Sequence, residues 1–247
     1  KDYLIHAGGG LDQVTWMDVR VGEWVVTPRH GKPVEISALW YNALCVMEQL
    51  AKRFGDEEEK EYAALADKVK ASFVNNFWNP EKNCLYDVVD DTENDDKIRP
   101  NQIWAVSLPH TMLSEEQAKG VVDTVVSHLY ATYGLRSLSP DDVEYKGIYA
   151  GKLHDRDAAY HQGTCWGFPL GGLITAYLKV YGATEDGKAF AKKLIAPLED
   201  HLMDGCIGSI AEIFDGNEPN ISRGCYGQAW SVGEILRAYV EGELWNA

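Results

Sequence analysis

Two carboxylates nearly two hundred positions apart sit in unusual company. Asp18 closes the segment TWMD (15–18), and Glu212 lies inside GSIAEIFDG (208–216), upstream of RGCYGQAW (223–230). A protonated carboxyl can donate to a leaving oxygen while an ionised one activates water from the opposite side. Such a pair typically stands about 6.5–9.5 Å apart to admit the water. Met17 and Trp16 beside Asp18 suggest desolvation and a raised pKa. Gln228, Arg223 and the Gly-rich stretch near Glu212 suggest that it stays ionised. Residue chemistry alone also permits the reverse assignment.

Four further segments mix polar groups with aromatics and chain breakers: PVEISALWYN (33–42), RPNQ (99–102), YGLRSLSPDD (133–142) and YHQGTCW (160–166). Trp16, Trp40, Trp166 and Trp230 could stack on an apolar sugar face or pack between helices. Asn42, Asn101, Gln102, His161, Gln162 and Gln228 offer fixed donors and acceptors. Glu35 is the rival carboxylate, able to cap a helix, bind a hydroxyl or share the acid role. Arg99 and Arg136 suit loop bracing better than a neutral ligand.

These residues need elements to position them, and the apolar periodicity is helical. Pro33 opens a first helix that Gly55 ends. Asp56 caps a second, with Glu59 three residues on, whose face is Tyr62, Leu65, Ala66, Val69, Phe73 and Phe77. Leu85 to Val89 reads as a short strand. Pro100 starts a third helix ending by Pro109, and Ser114 with Gln117 caps a fourth. After a long loop, about 133–162, a fifth carries Leu170, Leu173, Ile174, Tyr177 and Leu178. A sixth follows Thr184, and a seventh runs through Ala229, Val232, Ile235, Leu236 and Tyr239. Loops and short turns alternate, as in stacked helical hairpins with a site at one end. The expected fold is all-α, one domain over residues 1–247.

A formal net charge of −15, from 38 acidic and 23 basic residues, disfavours nucleic acid and anionic membrane as partners. No run of about eighteen apolar residues reads as a membrane span. The five cysteines lack metal or disulfide spacing and read as buried free thiols, which points to a reducing, cytoplasmic setting. The histidines and acidic runs lack zinc or calcium patterns, so no metal or other cofactor is expected.

In order and combination, TWMD, RPNQ, YGLRSL, YHQGT-W, EIFDG and QAWS resemble the C-terminal amylo-α-1,6-glucosidase region of the glycogen debranching enzymes. The resemblance runs from Thr15 to Glu234. It implies an (α/α)₆ toroid, six helical hairpins in a ring, that hydrolyses the single glucose left on an α-1,6 branch of glycogen or a branched α-glucan oligosaccharide, with inversion. It also implies Asp18 as general acid and Glu212 as general base. Seven helices are fewer than the twelve of a closed ring. The expectation is therefore a C-terminal portion lacking the first hairpins, with apolar helix faces covered by an upstream segment or by self-association. The alternatives are another exo-glycosidase on the same toroid, acting on trehalose or an oligosaccharide, and a non-catalytic glycan-binding module.

Overall fold

A computed structural model of the chain describes residues 2–246. Eight α-helices appear among them: α1 (Val34–Phe54), α2 (Glu59–Phe77), α3 (Trp104–Ser107), α4 (Glu115–Leu129), α5 (Leu153–Tyr160), α6 (Phe168–Tyr181), α7 (Glu185–His201) and α8 (Ala229–Glu241). Pro33 is the extended residue before α1, and Gly55 ends that helix in the left-handed region at φ 70°. Ser114 and Gln117 form the expected capping box of α4, and the Thr184 hydroxyl caps α7 at Gly187 N. Asp56 does not cap α2: its side chain accepts from Glu58 N at 3.0 Å, and the helix begins one residue later. The third expected helix is a 3₁₀ turn, Pro100–Ile103, continued by the single turn of α3.

Helix α1 packs on α2 and α3, α3 on α6, and α6 on α7 and α8, while α4 lies against α3 and α6. The shared core holds Phe73 and Phe77, stacked at 4.6 Å, with Val121, Val125, Leu129, Leu170, Leu173 and Leu198. Burying each such side chain contributes about 1.5–3 kcal/mol before ordering costs. The two ends of the helix row, α1 and α8, keep apolar residues in solvent. Leu39, Val46, Met47, Leu50 and Phe54 are exposed on α1, and Leu236 and Val240 on α8.

The fold is not purely helical. Strands β1 (Arg20–Val21) and β2 (Trp24–Val25), β3 (Lys32–Pro33) and β6 (Val88–Val89), and β4 (Trp78–Asn79) and β5 (Cys84–Leu85) form three two-stranded pairs. An antiparallel five-stranded sheet joins β7 (Tyr130–Ala131), β8 (Gly134–Arg136), β9 (Cys165–Trp166), β10 (Ile213–Phe214) and β11 (Ser222–Arg223) in the order β11-β10-β9-β8-β7. These strands are two or three residues long, too short for a period-two pattern to show. They form because the polar backbone of the inter-helix loops, once buried, must pair. The stretch expected as one long loop, 133–162, thus contains β8 and the additional helix α5. Among the described residues all five thiols are free, but only Cys45, Cys84 and Cys165 are buried. Cys225 is exposed and Cys206 half-buried, which corrects the expectation of buried thiols for those two residues. No helix among them is long and apolar enough to cross a membrane.

Candidate active site

The sheet gathers the chemistry-bearing segments. Trp166 on β9 pairs with Leu135 on β8 and with Ile213 on β10, and Ile213 pairs in turn with Arg223 on β11. Tyr160 and His161 therefore precede the central strand, Glu212 immediately precedes its neighbour, and Gly224 and Cys225 follow the next. Because β10 runs antiparallel to both neighbours, Glu212 lies level with Gly224, and Tyr160, approaching from the other end of β9, reaches Glu212 with its hydroxyl.

Glu212 is 9% exposed. Its Oε1 accepts the Tyr160 hydroxyl, and its Oε2 accepts the Cys225 backbone N–H at 2.9 Å. Gly224 makes that second bond attainable. It sits at φ +64°, and a Cβ there would stand 2.5 Å from Glu212 Oε2. Together the two bonds fix the direction of the carboxylate. Burial first, then the bond to Glu212, raises the Tyr160 phenol far above its usual range, so it stays a donor. Arg223 does not reach Glu212; it pairs with Asp215 at 2.9 Å. Gln228 turns its side-chain oxygen to Ala229 N at the start of α8.

Asp18 approaches the residue next to Tyr160, His161. Its Oδ1 is 3.8 Å from His161 Nε2, longer than a hydrogen bond, and its side chain is 63% exposed. His161 holds the Asp18 carboxyl below the usual carboxylate range, against the opposing effect of burial. The expected raised pKa is not found: burial does raise it, but His161 outweighs that, and Met17 is buried while Asp18 stays largely in solvent. Met17 is buried, with its sulfur beside Arg99 and Asn101. His161 itself is 1% exposed, and neither ring nitrogen has a partner within the protein. Burial lowers its pKa to about 4, so the ring is neutral.

An aromatic wall surrounds these groups. Trp16 meets His161, Trp166 and Phe168 edge-on at 5.1, 5.0 and 4.9 Å. Trp230, 37% exposed, stacks on Phe168 at 4.2 Å. Trp166 is 1% exposed and stacks on His161, so it supports the wall from behind. Trp16 Nε1 donates to Asn101 Oδ1 at 2.7 Å, and Asn101 Nδ2 donates to Asp87 at 2.8 Å.

Several other candidate residues are engaged as scaffold. Glu35 is buried in a bidentate pair with Arg29, which also binds Asp87 at 2.6 Å. Gln102 accepts from Leu85 N and donates to Arg99 O. Gln162 accepts from Arg99 at 2.6 Å and donates to Val26 O. Trp40 donates to Tyr3 O, and Asn42 accepts from His110 N, both along α1 and outside the aromatic wall. Arg99 also donates to the Ser137 and His161 carbonyls, and Arg136 to those of Gly216 and Tyr130, as loop braces. Sequence reading missed Tyr160, Arg29, Asp87 and Phe168. Tyr160 stands within the YHQGT segment, but nothing in a lone tyrosine signals a partner 52 positions away.

The family model for amylo-alpha-1,6-glucosidase matches residues 1–237 of this chain. The chain belongs to the amylo-alpha-1,6-glucosidase family. A curated relative, the glycogen debranching enzyme of Saccharomyces cerevisiae, is 24% identical over 217 residues, covering 70% of this chain and 14% of the relative. The fold of this family member is shared with the neutral trehalase of S. cerevisiae, at a TM-score of 0.62 and 14% identity over 85% of this chain and 38% of that one. It is also shared with a mannosylglycerate hydrolase of glycoside hydrolase family 63 from Thermus thermophilus, solved with glucose. There the TM-score is 0.61, with 17% identity over 87% of this chain and 45% of that one. The chain thus spans less than half the length of these relatives.

Proposed function

We propose that this chain carries the two catalytic carboxylates of a glycoside hydrolase that removes an α-1,6-linked glucose from a glycogen-type branch with inversion. The observation that carries the reading is the placing of Glu212 and Asp18 at adjacent residues, Tyr160 and His161, beside one aromatic wall. Glu212, oriented by two neutral donors, serves as the base that takes a proton from water. Asp18 serves as the acid. Glucose entering beside Trp16 and Trp230 excludes water from Asp18 and raises its pKa toward the range in which a carboxyl can donate. The exposed part of Trp230 supplies an apolar surface to the sugar.

The acid and base assignment rests on the motif resemblance, and the two donors on Glu212 support it. We further infer that the exposed apolar faces of α1 and α8 are covered by the remaining hairpins of an (α/α)₆ ring or by a second copy.

The test is hydrolysis of a 6-O-glucosyl branched dextrin by the protein that contains this chain. Glu212→Gln and Asp18→Asn should each lower kcat by roughly 10²–10⁴-fold. Undiminished turnover by either variant would remove its carboxylate from the mechanism. The likeness to a trehalase fold favours one second reading, an exo-glycosidase on another sugar. It is tested by offering trehalose in the same assay: cleavage of trehalose with the branched dextrin left intact would replace the debranching reading.

A further inference from the structure

The Glu212 carboxylate is gripped at both oxygens, and one of the two grips is a side chain. We propose that Tyr160 is the positioning residue of the Glu212 base, fixing the direction of the carboxylate. This inference rests on the reading of Glu212 as base.

Tyr160 ends α5, and its ring is packed independently of its hydroxyl. It lies 4.6 Å from the His161 ring, 4.9 Å from Trp166 and 5.6 Å from Tyr149. Its backbone carbonyl accepts from Thr164 Oγ1 at 2.5 Å and from Trp166 Nε1 at 3.1 Å. A phenylalanine would keep all of this packing and remove only the donor on Glu212. The Cys225 N–H would still hold Oε2, but Oε1 would lose its fixed partner and the carboxylate could rotate. Each carboxylate oxygen accepts about two hydrogen bonds. With one lone pair occupied by Tyr160, Oε1 keeps another in a fixed direction for the attacking water.

The other titratable groups around Glu212 are neutral or already paired at neutral pH. Burial pushes the Tyr149 phenol up, and the Glu212 carboxylate pushes the Cys225 thiol up, so both are neutral in the acidic range. Arg223 is committed to Asp215. His161, against the other face of Tyr160, gains its proton only near pH 4.

The experiment is Tyr160→Phe in the full-length protein, read in two ways. kcat on the branched dextrin should fall about tenfold, with KM changed less than about twofold. In the Glu212→Gln background, Tyr160→Phe should cost nothing further. A raised KM at unchanged kcat, or a full additional loss on top of Glu212→Gln, would overturn the proposal and make Tyr160 a sugar contact. The ¹³C NMR resonance of the Glu212 carboxyl at neutral pH reads the same bond without substrate: Tyr160→Phe should shift it, and an unchanged resonance would overturn the proposal. If the branched dextrin is not hydrolysed at all, the functional reading fails while this resonance still decides the role of the tyrosine.

Discussion

His161 Nε2 and Asp18 Oδ1 lie 3.8 Å apart, one atom sealed in the interior and the other on a side chain open to solvent. The pair straddles the boundary that a bound sugar would close. In the free protein Asp18 is held below the ordinary carboxylate range, which suits an anion and not a proton donor.

An acid catalyst at Asp18 must therefore take up its proton as substrate excludes water. kcat/KM reports the free protein and kcat the complex. The basic limb of kcat should lie at higher pH than that of kcat/KM. Binding to Glu212→Gln protein, followed calorimetrically in buffers of different ionisation heat, should take up about one proton at neutral pH. Coincident limbs with no proton uptake would mean that Asp18 is not the acid.

His161 gives the fold an acid sensitivity of defined sign. Its pKa is lowered by burial to about 4 from an ordinary value of 6.5. Between those values the unfolded chain binds a proton that the folded chain does not, so stability is lost as pH falls from about 6.5 to about 4. Above that window the residue adds no slope. The loss is on the order of 3 kcal/mol. His161→Gln should flatten urea-unfolding stability across this window, leaving the weaker slope from His201, which burial also lowers. An unchanged slope would place the sensitivity elsewhere.

The buried Arg29–Glu35–Asp87 network is structural in this account. Arg29→Met leaves Glu35 without its cation and Asp87 with only Arg99, at 3.7 Å, and should cost about 3–5 kcal/mol. Glu35→Gln should lower the unfolding midpoint by less and leave kcat of the folded fraction within about twofold. If Glu35→Gln abolished turnover at unchanged stability, Glu35 would return as a chemical participant.

Gly224 carries a prediction of the opposite kind, a loss of rate in a folded protein. Alanine there meets Glu212 Oε2 at 2.5 Å from a backbone at φ +64°. The base must move, and kcat should fall by about 10²-fold, with circular dichroism and the unfolding midpoint little changed. Full activity in Gly224→Ala would show that the loop after β11 does not set the position of Glu212.

Legibility in the sequence follows the length of the signal. Helices α2, α4 and α7 carry several turns of apolar period and, for α4 and α7, a visible cap, so Val121, Val125 and Leu198 are readable as core. The five-stranded sheet is not, because each strand contributes two or three residues and its stability comes from partners far along the chain. Glu212 can be singled out from EIFDG, but its tyrosine donor cannot. Asp18 can be singled out from TWMD, yet its solvation cannot. Met17 is buried while Asp18 is exposed, and His161, far along the chain, outweighs the burial that remains. Glu35 shows the converse: a carboxylate that reads as available is closed by Arg29, six residues upstream.

The most direct measurement is NMR of the first glucose anomer released from a 6-O-glucosyl branched dextrin by the protein that contains this chain. Water activated by Glu212 opposite a leaving group protonated by Asp18 predicts β-glucose, which then mutarotates. Initial release of α-glucose would contradict the paired roles of Asp18 and Glu212.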